Sequence, residues 1–139
     1  MSKVSMGELM VGIVVVAHNP KLSQEIINFC LELKNSSFYL ENGGGTSNGN
    51  DEYGTCPEVI ARAIKRADQG DGVVVLCDLG SSVLNAEKAK NALKDEIRVE
   101  IVDAPLVEGT IVGVSSNHPK VKIETLIEFI RESKEFPKF

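Results

Sequence analysis

The chain has 139 residues, 42% of them hydrophobic and 25% charged, with 15 basic and 20 acidic side chains and a net charge of -5. That is one domain, long enough to bury a core without disulfide or metal and too apolar to be disordered. An acidic chain with 5% aromatics, no tryptophan and no lysine or arginine cluster argues against nucleic acid and anionic membrane as partners.

Residues 1–9 stand outside the pattern that follows and read as an N-terminal extension to a single domain over residues 10–139. Met10 to Ala17, MVGIVVVA, is a continuous β-branched run, as expected of a central strand buried on both faces. It has no signal cleavage site, and His18-Asn19-Pro20 follows at once. Asn19 and Pro20 are a cap and first residue for a helix with Leu22, Ile26, Phe29, Cys30 and Leu33 on its apolar face. A short strand is expected at Phe38 to Glu41, then a glycine-rich loop from Asn42 to Thr55. Thr55 and Glu58 have capping-box spacing and open a helix carrying Val59, Ile60, Ala63, Ile64 and Ala67, which Gly70 ends. Val73 to Cys77 is a second buried strand, and Asp78-Leu79-Gly80-Ser81-Ser82 leads into a helix with Val83, Ala86, Ala89 and Leu93 inward. Arg98 to Val102 is another strand. Asp103-Ala104-Pro105 then opens a helix with Leu106, Val107, Thr110, Ile111 and Val114 on one side. After Asn117-His118-Pro119 a last amphipathic helix runs from about Val121 to Lys134.

Strands alternating with helices, most of the strands continuously apolar, predict a three-layer α/β/α sandwich with a mainly parallel central sheet. Cys30, Cys56 and Cys77 form no CxxC pair, which excludes a zinc ribbon and a thioredoxin-type motif and fits a reducing compartment. No apolar stretch approaches the ~20 residues of a transmembrane helix, so a cytoplasmic protein is expected.

Ligands of open α/β sheets sit beyond the carboxyl ends of the strands. There the sequence puts His18, Asp78 with Ser81 and Ser82, and Asp103, and the glycine-rich loop joins the same edge. A neutral imidazole above a helix start suits a nucleophile that carries a phosphoryl group; a helix-capping or solvated loop residue is the plain alternative. Asp78 is either a strand-end cap or the carboxylate that holds the ring's Nδ1–H and leaves Nε2 free. The loop is either merely flexible or an amide-lined anion cradle. Gly45 and Thr46 from it, with Gly80 and Ser81 after Asp78, are the candidate phosphoryl-binding residues, and Ser82 and Thr55 are further hydroxyl donors. The loop does not match GxxxxGK[ST]. His118 reads as a surface loop residue, and no metal or cofactor is expected.

GIVVVAH at 12–18, YGTCPEVI at 53–60, GDGVVVLCDLGSSVLNAE at 70–87 and DAPLVEG at 103–109 resemble the phosphotransfer subunit of phosphoenolpyruvate-dependent dihydroxyacetone kinases. That family has the fold of the mannose-family enzyme IIA domains of the sugar phosphotransferase system. The resemblance runs from about Met10 to the end of the chain and implies a phosphoryl carrier. Such a carrier takes its phosphoryl group from the phosphocarrier HPr on the histidine after the first strand, here His18. It passes the group to ADP on the ADP-binding subunit of the kinase. The resemblance also implies that Asp78 orients the histidine, that the chain is a homodimer, and that it is the single-domain form.

Three other readings share parts of this pattern. A mannose-type enzyme IIA would hand phosphate to a sugar-transport component; those carry aspartate followed by Thr-x-Gly-Gly-Ser-Pro, where this chain has Asp78-Leu79-Gly80-Ser81-Ser82. A histidine phosphatase or mutase would want an arginine beside His18, which Ala17 and Asn19 flank instead. A non-catalytic flavodoxin-like regulatory module would accept no phosphoryl group.

Overall fold

The computed structural model describes residues 9–49 and 52–139. The expected extension lies outside the described residues except for Leu9. Four parallel strands form one sheet in the order β2-β1-β3-β4: β1 (Gly12–Val16), β2 (Leu40–Asn42), β3 (Val73–Cys77) and β4 (Val99–Ile101). The helices are α1 (Pro20–Leu31), α2 (Pro57–Ala67), α3 (Gly80–Leu93), α4 (Leu106–Ser116) and α5 (Ile123–Glu132), followed by a 3-10 turn at Ser133–Glu135.

Alternation along the two central strands divides the core. Ile13, Val15, Val74 and Leu76 point to one face, where α1, α4 and α5 cover them with Ile26, Cys30, Val114, Leu126 and Ile130. Val14, Val16, Val73 and Val75 point to the other, where α2 and α3 supply Ile60, Ala63, Ile64, Ala86 and Ala89. The three layers are the expected sandwich. A strand buried on both sides needs an apolar residue at every position, which is why β1 and β3 read as unbroken runs.

The chain leaves β1 toward one edge through α1, then returns through α2 and continues through α3 on the opposite face. Reversing direction and face together keeps the crossovers of one hand. It also makes β1 and β3 neighbours whose chains depart to opposite faces, which opens a crevice beyond their carboxyl ends.

Several local expectations change. The buried stripe of α1 is Ser23, Ile26, Ile27 and Cys30, while Leu22, Phe29 and Leu33 are exposed; the helix ends at Leu31, before Leu33 could join it. The second strand starts at Leu40 rather than Phe38, because Phe38 turns into the core on its own. Val107 on α4 is exposed, and the buried stripe there runs through Gly109, Thr110, Gly113 and Val114. Thr55 and Glu58 do not form a capping box: α2 starts from Cys56 with no side-chain cap, and the Thr55 hydroxyl is engaged by Asn85.

Candidate functional site

The crevice between β1 and β3 holds His18 and Asp78. Their meeting follows from the strand register, in which Val16 pairs with Cys77. One step on, the Asp78 N–H donates to the Val16 carbonyl at 3.1 Å. The His18 N–H then donates to Asp78 Oδ2 at 2.9 Å. The imidazole lies back over the same carboxylate, with Nδ1 at 3.1 Å from Oδ1 and 3.2 Å from Oδ2. An ionised carboxylate only accepts, so the ring proton sits on Nδ1. Nε2 then carries the lone pair, and it faces the Ser81 hydroxyl at 2.7 Å. Ser81 is exposed and the imidazole is half-buried, so Nε2 is held at the surface of the crevice.

Burial alone would raise the pKa of Asp78. Hydrogen bonds from the His18 N–H, the Ser82 hydroxyl, the His18 ring and the Leu79 N–H outweigh it and hold the carboxyl below its ordinary value. The Ser82 hydroxyl lies 2.7 Å from Asp78 Oδ1 and 3.1 Å from His18 Nδ1, in a fully buried position. Asp78 is thus a charged acceptor at neutral pH, fixed from four directions. Directly beneath it the Cys77 thiol is pushed up to about 12, by burial first and by the Asp78 charge second. A thiol held protonated at neutral pH is no competing nucleophile.

Two helices begin at this edge. The start of α1 is capped within its own sequence: Asn19 Oδ1 accepts the Lys21 N–H at 2.9 Å, and Pro20 has no N–H to offer. The start of α3 has no side-chain cap. Its N-cap residue is Leu79, and Gly80 and Ser81 open the first turn beside the imidazole. The first N–H groups of a helix have no intrahelical partner and carry its positive dipole end. The ring's side-chain partners, Asp78, Ser81 and Ser82, come from the end of β3 and the first turn of α3, so the uncapped helix start beside the imidazole is that of α3.

The glycine-rich loop wraps the back of the histidine. The Gly54 N–H donates to the His18 carbonyl at 2.6 Å. Gly54 has φ +128, a conformation in which a side chain is strained. Gly44 lies so close to β1 that a Cβ there would sit 2.5 Å from the Ala17 carbonyl oxygen and 2.6 Å from Ser23 Oγ. Gly45 pairs with Thr55 across the loop's neck. The Thr46 hydroxyl donates to Glu52 at 3.0 Å and so is occupied within the loop. The Asn19 amide reaches the exposed Tyr53 hydroxyl at 3.1 Å.

Asp103 shares the edge but not the cluster: it is exposed and pairs with Lys134 at 3.2 Å. It lines a groove of about 410 Å³ beside Asp78, together with Leu79, Val83, Glu87 and Ile101. That groove is why Val83 is not inward as expected. His118 is exposed on the far connection. Among the described residues no group of three or more His, Cys, Asp or Glu side chains is placed to hold a metal, and no helix is long and apolar enough to cross a membrane. Sequence reasoning did not single out Gly54 or Asn85. Only the position of Asn85, three residues beyond Ser82 on the same face of α3, was a signal.

The sequence matches the family model of the fructose IIA component of the phosphotransferase system (EIIA-man) over residues 12–127. The phosphoryl donor subunit DhaM of a phosphoenolpyruvate-dependent dihydroxyacetone kinase 2 of Listeria innocua is 33% identical over 102 residues, covering 72% of this chain and 80% of that protein. The corresponding DhaM of Escherichia coli is 31% identical over 121 residues, covering 85% of this chain and 26% of that much longer protein. Among solved structures, a protein of unknown function superposes with TM-score 0.73 at 25% identity, over 86% of this chain and 92% of that one. A sigma-54 interaction domain protein from Enterococcus faecalis, at TM-score 0.67 and 14% identity over 92% of this chain and 93% of that one, shares the fold. With 116 residues inside the family match (12 through 127) and 33% identity to the Listeria protein over 102 aligned residues, the chain belongs to the EIIA-man family of phosphotransferase-system IIA components, on its DhaM branch.

Proposed function

We propose that this protein is a phosphoryl carrier. It accepts a phosphoryl group from the phosphohistidine of HPr on His18 Nε2 and delivers it to ADP held on the ADP-binding subunit of a dihydroxyacetone kinase. One observation carries the reading: Nδ1 is tied to an ionised carboxylate while Nε2 faces an uncapped helix start.

In the first step the N–P bond of the donor breaks, its electron pair returns to the donor nitrogen, and the Nε2 lone pair forms the new N–P bond. The Nδ1 proton stays on the ring, and Asp78 balances the charge that develops there. A loosely bonded phosphoryl group in flight needs positioning and electrostatic support more than covalent help. The N–H groups of Gly80 and Ser81 supply that support, and the Ser81 hydroxyl turns from Nε2 to a phosphoryl oxygen. Gly45 and Thr46 shape the loop behind the histidine, and the phosphoryl-binding role falls to Gly80 and Ser81. In the second step the Nε2–P bond breaks, its pair returns to Nε2, and a β-phosphate oxygen of ADP takes the group. A cytoplasmic location and a homodimer belong to the same proposal; light scattering in solution tests the dimer.

The test is intact mass after incubation with phosphoenolpyruvate, enzyme I and HPr, followed by a chase with the ADP-loaded subunit. One phosphoryl group gained, then lost as ATP appears, is the expected result. No gain would identify a binding module. A gain discharged only by a sugar-transport component would make this a mannose-type IIA protein.

A further inference from the structure

Both polar groups of the His18 peptide unit are bonded, and so are both ring nitrogens. Three of these four bonds run directly to the β3–α3 segment: the N–H and Nδ1 to Asp78, and Nε2 to Ser81. The fourth, from Gly54 to the His18 carbonyl, runs to the glycine-rich loop and at first sight leaves α3 out. The loop is nevertheless fastened to α3 at the next residue. Asn85 Nδ2 lies 2.8 Å from Thr55 Oγ1 and 3.3 Å from the Thr55 carbonyl oxygen, so one amide group reaches both oxygens of that residue.

We propose that Asn85 is a positioning residue for His18, acting through Thr55 and Gly54. The proposal rests on the carrier reading above for its effect on transfer. Asn85 follows Ser81 by four residues and Ser82 by three, so the three side chains share one face of the helix. That face meets the histidine at Nε2, at Nδ1 through Asp78, and at the carbonyl through the loop. Gly54 sits at φ +128, which glycine adopts freely, so its own backbone does little to hold the loop and the bonds of its neighbours must. The Asn85–Thr55 contact is the tie that joins this neck to α3, beside the Gly45–Thr55 bridge within the loop and the Asn19–Tyr53 bond. Without that tie the loop neck can shift, the His18 carbonyl loses its partner, and the ring can drift from its place over Asp78. A misplacement of about 1 Å in such a site costs about 100-fold in rate.

The experiment compares wild type with Asn85→Ala, Thr55→Val and the double variant. Alanine suits a half-buried helix position, and circular dichroism verifies folding. Single-turnover transfer from phospho-HPr should fall about 10- to 100-fold in Asn85→Ala, with the half-saturating HPr concentration unchanged, since Asn85 does not face the donor. The double variant should be no slower than Asn85→Ala, because both changes cut one tie. Two readings need no phosphoryl transfer. The Gly54 amide should exchange faster with solvent in Asn85→Ala, and ring ¹⁵N shifts should report a smaller Nδ1–H fraction for His18. Unchanged ring shifts and unchanged Gly54 exchange would overturn the proposal, as would wild-type transfer by a folded Asn85→Ala. If wild type itself accepts no phosphoryl group, the carrier reading falls, and the two NMR measurements still decide whether Asn85 positions His18.

Discussion

The starts of α1 and α3 lie side by side at one sheet edge, and each follows a central strand by a short polar turn. At α1 the turn residue caps the helix: Asn19 takes the Lys21 N–H, and Pro20 removes another donor. At α3 the polar residue that could cap, Asp78, is drawn instead to His18 and Ser82, and Leu79 stands at the N-cap. Leucine is a poor capping residue, so α3 forgoes about 1 kcal/mol of local stability that Ser or Asp there would supply. On the proposed carrier reading, the start of α3, left without a side-chain cap beside His18, is the one that would hold the phosphoryl group.

The largest expected effect comes from removing the nucleophile or its partner. His18→Ala should abolish phosphoryl acceptance. Asp78→Ala should fold yet transfer roughly 10²–10⁴-fold more slowly, as expected on losing the group that fixes a catalytic imidazole. Labelled HPr in single-turnover mixing measures both, and a wild-type rate in Asp78→Ala would remove Asp78 from the mechanism.

Capping α3 artificially sharpens the contrast between the two helices. Leu79→Ser should raise stability by up to about 1 kcal/mol while slowing transfer about 10-fold, since a side-chain oxygen would compete for the Ser81 N–H. Thermal unfolding and transfer measured on the same sample check it; faster transfer would mean that the helix start is not used. The opposite change, Asn19→Ala, should cost about 1 kcal/mol in unfolding free energy through the lost α1 cap, with transfer altered only a few-fold.

The smallest effect concerns acid. The Asp78 carboxyl titrates below its ordinary value in the folded protein, so its stabilising contribution is complete above the unfolded value of ~3.9 and fades as pH falls through the folded one. The stability difference between wild type and Asp78→Ala should therefore be flat above about pH 5 and shrink below about pH 4. Denaturant titrations across that range measure it.

Much of this site is written locally. The unbroken runs of β1 and β3, the Asn19-Pro20 helix start, and His18 and Asp78 directly after those runs all depend on near neighbours, so the sequence carries them openly. What it hid was decided at a distance. Thr55 has the spacing of a cap for α2, but Asn85, 30 residues on, takes its hydroxyl. Thr46 looked like a free donor in a glycine-rich loop until Glu52 turned back onto it. Leu22 and Phe29 fit an apolar stripe on α1, yet the packed stripe includes Ser23, whose hydroxyl accepts the Ala17 N–H where the chain leaves β1.

On the carrier reading, Nε2 of His18, and no other atom, carries the phosphoryl group while Nδ1 keeps its proton for Asp78. ³¹P and ¹⁵N NMR of the phosphorylated, ¹⁵N-histidine-labelled protein tests it most directly. Phosphorus coupled to Nε2 of a single histidine is expected, with a label that acid removes and alkali does not. Coupling to Nδ1, or an alkali-labile seryl phosphate at Ser81 or Ser82, would contradict it.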